Sequence, residues 1–163
     1  MSRYPGGAVN AGSAPNVSGR GACLALLTLL AVYGCGGSSL SSSELRDQAG
    51  AICAAAQTHT DRVPAPGSPA GAAAFIRQGT GLLSAELARL QALRPAGDLA
   101  GVYRVSLLAF SRELHALRHT ARVLARGSDP VIAIKTLQRR LAPIQSEEDH
   151  AWRTLGIPAC VNR

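Results

Sequence analysis

From Ser41 onward, apolar residues recur three or four positions apart in four separate runs, the spacing that lines one face of an α-helix. The first run opens on Ser41-Ser42-Ser43-Glu44, a capping box in which a serine oxygen takes an early amide and the glutamate reaches back to another. Leu45, Ala49, Ile52, Ala56 and Val63 then form one stripe with Cys53 on its edge. Val63-Pro64-Ala65-Pro66-Gly67 stops that helix, because two prolines remove donors and Gly67 frees the turn.

Ser68-Pro69 opens the second helix as a cap residue followed by proline at the first helical position. Phe75, Ile76, Leu82, Leu83, Leu87, Leu90 and Leu93 give it a wide apolar face, and Arg94-Pro95-Ala96-Gly97 ends it. Gly79 and Gly81 inside it each cost about 1 kcal/mol against alanine, so either a neighbouring helix packs closely there or the segment bends. Asp98 is the expected cap of a long third helix reaching Gly127, with a stripe of Tyr103, Leu107, Phe110, Leu114, Leu117, Ala121 and Leu124. Ser128-Asp129-Pro130 starts the fourth, which carries Ile134, Leu137, Leu141, Ile144, Ala151 and Leu155. Pro143 should kink it, and Gly156-Ile157-Pro158 turns the chain out to Cys160. No period-two alternation appears, so the fold class predicted for residues 44–163 is all-α, an antiparallel four-helix bundle.

Ahead of the bundle lies a segment of another kind. About a dozen mostly apolar residues from Ala22 to Tyr33 follow Arg20 and run into Gly34-Cys35-Gly36-Gly37. A positive flank and a short apolar core match an export signal, and the run falls short of the roughly 20 residues a membrane span needs. Residues 1–34 therefore read as a lipoprotein signal peptide, with cleavage before Cys35 and acylation of that cysteine. Two or more acyl chains hold a protein stably at a bilayer where one does so only marginally. Tyr33 stands where a small residue is usual, which sets plain secretion as the alternative. Residues 1–16 have no apolar period and read as a misassigned start, since initiation at Val17 leaves an ordinary leader. Residues 35–43, rich in Gly and Ser, form a lipid-anchored flexible tether.

Once Cys23 leaves with the leader and Cys35 is acylated, Cys53 and Cys160 remain. Outside the cytosol such a pair is expected to be oxidised, and a bridge closing about 100 residues contributes on the order of 4 to 5 kcal/mol. Neither cysteine sits in a CxxC or CxxH spacing, which argues against metal.

The chain of 163 residues carries a net charge of +7; removing Arg3 and Arg20 leaves 15 basic against 10 acidic residues, or +5. A basic surface suits anionic headgroups or phosphate-bearing wall polymers. Arg112, His115, Arg118, His119, Arg122 and Arg126 gather on one outer face of the third helix and form a candidate polyanion contact. His115 and His119 are four apart, but that face points away from the bundle axis and its arginines repel a divalent cation, so no metal is expected. Glu147-Glu148-Asp149 reads as an acidic patch able to pair with arginines of a neighbouring helix. Aromatic residues make up only 4%, which counts against a tight specific binder and against base stacking, so nucleic acid is not an expected partner. No nucleophile with its base, no paired carboxylates and no phosphate loop stand out; Ser111 near His115 lacks an acidic orienter. The expectation is a non-enzymatic domain with no cofactor.

Four segments carry a resemblance: the leader running into Cys35-Gly36-Gly37, Ala51-Ile52-Cys53, Asp129-Pro130-Val131-Ile132-Ala133-Ile134, and Leu155-Gly156-Ile157-Pro158-Ala159-Cys160. In these the chain resembles a group of small, uncharacterised helical lipoproteins of actinobacteria, which implies export and this architecture and carries over no activity. The expected role is that of an exported, membrane-anchored binding or adaptor domain on the outer face of the cytoplasmic membrane. Its expected partners are the bilayer through acylated Cys35 and an anionic lipid, a wall polymer or an envelope protein. The alternatives are a carrier of a small apolar ligand, with a closed pocket near Gly79 and Gly81, and a metal-binding helical bundle.

Overall fold

The computed structural model describes residues 39–161. The leader 1–34 with its alternative start at Val17, the acylation site Cys35 and the first residues of the tether lie outside the described residues. Within them the chain is an all-α bundle of four helices, α1 (Ser42–Thr60), α2 (Ala72–Ala92), α3 (Gly97–Ala125) and α4 (Pro130–Leu155), with 3-10 turns at Pro69–Gly71 and Pro158–Cys160.

Local chemistry explains most of the helix ends. At α1 the Ser41 hydroxyl accepts the Glu44 amide, and the Glu44 carboxylate accepts the Ser41 amide at 2.8 Å. Hydrogen bonds from the Ser41 side chain and amide hold the Glu44 carboxyl below its ordinary 4.5. A serine cap of this kind contributes about 1 kcal/mol. Asp129 caps α4 by accepting the Ile132 amide at 2.9 Å, with Pro130 in the first turn. Gly127 and Gly156 take positive φ, +89° and +71°, where a side chain would strain the backbone. At Gly156 an added Cβ would also come within 3.0 Å of Arg46 Nε, which donates to the Leu155 carbonyl and so places a cation at the end of α4.

Two of the expected caps are displaced. Ser68 makes no side-chain capping bond; its carbonyl instead accepts the Gly71 amide in the 3-10 turn, and α2 begins only at Ala72. The cap of α3 is Ala96 rather than Asp98, because Ala96 is already held outside the helix. Its amide donates to the Leu40 carbonyl at 2.9 Å, while the Leu40 amide donates to the Arg94 carbonyl. Asp98 falls inside the first turn, where its charge still favours the helix dipole. At the other ends, α1 stops at Thr60 rather than at Val63. Pro143 is exposed and α4 remains one helix through it, so the lost backbone bond and the ring both face water.

The Leu40 pairing sets the start of α1 beside the α2–α3 turn, and the helices alternate in direction. α3, the longest, packs against both α2 and α4, while α1 packs on α2 and on the Pro158–Cys160 turn. One apolar cluster gathers Leu45, Ile52, Leu90, Phe110, Leu114, Trp152 and Ile157, and a second joins Ile76, Ala116, Ala121 and Leu137. Tyr103 and Trp152 meet edge to face with centroids 5.8 Å apart. The Tyr103 hydroxyl donates to the Leu90 carbonyl at 2.7 Å, and burial pushes its ionisation well above the usual tyrosine range. Buried Thr80 and Thr120 satisfy their hydroxyls by donating to carbonyls four residues back.

Cys53 and Cys160 form a disulfide with Cα atoms 5.2 Å apart. Both are buried in the larger cluster, so the bond fastens the tail to α1 inside the core.

Of the two expectations for Gly79 and Gly81, close packing of a neighbouring helix is not met. No helix closes on either, since a Cβ at each would meet nothing within 4 Å, and α2 is continuous through both. Each therefore keeps a helix-propensity cost of about 1 kcal/mol with no packing in return. Gly79→Ala and Gly81→Ala are expected to raise stability by about that much each in urea denaturation, and a loss of stability in either would show that the glycine has a hidden packing role.

Candidate functional site

The six basic residues expected to form one stripe are divided by the helices on either side of α3. Arg112 leans toward α4 and pairs with Glu147, both about half exposed. Such a pair is worth about 0 to 1 kcal/mol and consumes the charge that made Arg112 a candidate. His119 lines a groove of about 230 Å3 between α3 and α4, together with Asp129 and Ile132. Arg126 forms the C-cap of α3 and donates to the Arg122 carbonyl at 3.3 Å, and His115 is exposed. Arg118 and Arg122 lean the other way, toward α2.

There they meet Arg77, which periodicity does not single out because its neighbours come from another helix. The three arginines line an open groove of about 430 Å3 between α2 and α3, floored by Thr80, Gly81, Ser84, Ala121 and Ala125. Arg118 Nη2 donates to Ser84 Oγ at 2.7 Å, and Ser84 Oγ donates in turn to the Thr80 carbonyl at 2.5 Å. Since a neutral hydroxyl orients a guanidinium without cancelling its charge, Arg118 is positioned yet remains cationic. Among the described residues no acidic side chain lines the groove. Among the described residues the two side-chain ion pairs are Arg112–Glu147 and Arg153–Asp149, and neither involves a groove arginine. Chemically such a lining can accept an anion, because guanidinium forks present paired donors at the spacing of carboxylate or phosphate oxygens.

A second cleft, of about 400 Å3, opens where α1, α2 and α3 meet, and Gly79 lies in its wall. Its lining is mainly apolar, from Ala56, Phe75, Ile76, Leu83 and Leu117, with Glu86 and Glu113 among it. Glu113 Oε1 accepts from Gln145 Nε2 of α4 at 3.2 Å, and Glu86 is buried. The cleft opens to solvent, unlike the closed pocket a carrier was expected to show.

The acidic run on α4 splits three ways. Glu147 reaches Arg112 as anticipated, and Asp149 pairs with Arg153 within the same helix. Glu148 points inward, where its Oε1 accepts from the Trp152 indole at 3.0 Å. Among the described residues no three His, Cys, Asp or Glu side chains come together as metal ligands, and no helix is long and apolar enough to cross a membrane. Exposed apolar side chains stand out at Leu108, Val131 and Ile132.

Compared with known proteins, the chain matches no protein-family model, no curated protein and no solved structure.

Proposed function

We propose that this chain is an exported lipoprotein of the actinobacterial group it resembles. In this reading it is anchored by acylated Cys35 to the outer face of the cytoplasmic membrane and serves as a non-enzymatic binding domain in the envelope. The observation that carries the reading is the buried Cys53–Cys160 bond, because structural disulfides persist in oxidising compartments and are rare in the cytosol. Grooves open at the surface of the bundle support a binding role.

Cells fed radioactive palmitate are expected to label the wild-type chain and not Cys35→Ala. In the same cells Cys53 and Cys160 should resist alkylation until a reductant is added. Equal labelling of Cys35→Ala, or free thiols at both remaining cysteines, would overturn the proposal.

A carrier of a small apolar ligand is the second reading; the cleft between α1, α2 and α3 has the apolar walls it needs but is open rather than closed. It requires one apolar molecule per chain in an organic extract of protein purified from its native host.

A further inference from the structure

We infer that the groove between α2 and α3 is a binding site for a phosphate ester, held by Arg77, Arg118 and Arg122. The inference names a ligand class for the binding role proposed above and rests on it. Three arginines from two helices line the groove, and no carboxylate of the described residues lies in its lining. An anion seated among them accepts their forked donors and offsets their like charge. Ser84 holds Arg118 from the side, which limits the side-chain freedom the guanidinium loses on binding.

The floor sets the shape of the ligand. Gly81 adds no side chain to the floor, and a Cβ there would meet nothing within 4 Å. The Thr80 hydroxyl already donates to the Ile76 carbonyl, and the donors left for a ligand are those of the arginines. A volume of about 430 Å3 exceeds what a bare phosphate needs and leaves room for the alcohol it esterifies. Among the described residues no aromatic ring lines the groove, so it offers no ring for a nucleotide base to stack on and favours a polyol ester such as a glycerol phosphate.

The same chemistry is offered by a free ester and by the headgroup of an anionic phospholipid. Arg77 lies fifteen residues before the end of α2, about 20 Å along its axis from the turn where the chain enters α1. The groove is thus displaced from the tethered end, and a headgroup reaches it only if the bundle lies along the surface.

The test takes the full-length chain in the presence of phosphatidylcholine nanodiscs and measures uptake of radiolabelled glycerol 3-phosphate. Saturable binding of one ligand per chain is expected, about tenfold weaker in Arg118→Gln and weaker again with Arg122→Gln, as loss of a charged hydrogen bond implies. Arg139→Gln/Arg140→Gln on α4 should bind as wild type, and equal melting temperatures would show that all variants fold. Added vesicles containing phosphatidylglycerol that displace the free ester identify the headgroup as the source, while vesicles without effect identify a free or polymer-borne ester. Absence of saturable uptake, or equal loss in the α4 double variant, overturns the inference. Palmitate labelling reports on anchoring separately, so either proposal can fail alone.

Discussion

Opening the Cys53–Cys160 bond, by Cys160→Ala or by dithiothreitol, is expected to lower the stability of the bundle by about 4 to 5 kcal/mol. The two cysteines are 107 residues apart, so the unfolded chain gains the freedom of nearly the whole domain when the link is lost. For a domain of this size that corresponds to roughly 15 °C in melting temperature. The effect should be concentrated at α1, which packs on α2 and on the tail while α3 and α4 hold each other along their length. Trp152 is the single tryptophan and is fully buried, so its emission reports the transition directly. Melting curves that superimpose with and without reductant would show that packing alone holds the tail to α1.

Trp152→Ala should be as damaging, at about 3 to 5 kcal/mol. The indole sits in the main core cluster, meets Tyr103 edge to face, and donates to Glu148. Truncation leaves a cavity at the centre of the bundle and deprives a buried carboxylate of that donor. Trp152→Phe separates the two contributions, because it keeps a ring beside Tyr103 and removes only the N–H and part of the volume. Its expected cost is about 1 to 3 kcal/mol. Urea denaturation followed by circular dichroism measures both, and a loss below about 1 kcal/mol in Trp152→Ala would mean that the cluster closes over the gap.

The four helices are legible in the sequence because a helix that buries one face must repeat its apolar residues at the helical period, and every stripe met that condition. The α1 capping box and the Asp129 cap were legible for a similar reason, as each is completed within three residues of chain. The caps at Ser68 and Asp98 were misread because distant or alternative partners compete for them. Ala96 is committed to Leu40, and Ser68 is drawn into a 3-10 turn. Glu148 was misread for the same kind of reason, since its partner Trp152 turns an acidic residue inward while Glu147 and Asp149 find arginines outside.

The candidate site was half legible. Charge and helical spacing locate Arg118 and Arg122 on an outer face, but which neighbour each arginine meets depends on interhelical register. That register gives Arg112 to Glu147 and brings Arg77 to the other two. Gly79 and Gly81 advertised an unusual place in α2 without revealing its nature, because a glycine beside a tightly packed helix and a glycine beside open space look alike in a sequence.

The bond from α1 to the tail also decides how this protein bears load. If a pull were applied between Cys35 and the C-terminus, force would travel along α1 to Cys53, cross the sulfur bridge and leave through Cys160. Residues 54–159 would hang outside that line of tension. The molecule could lengthen only through the stretch before Cys53 and the last few residues, on the order of 70 Å, against several hundred ångström for the unbridged chain. A pull applied in that way would therefore strain the first helix and leave the arginine groove at rest.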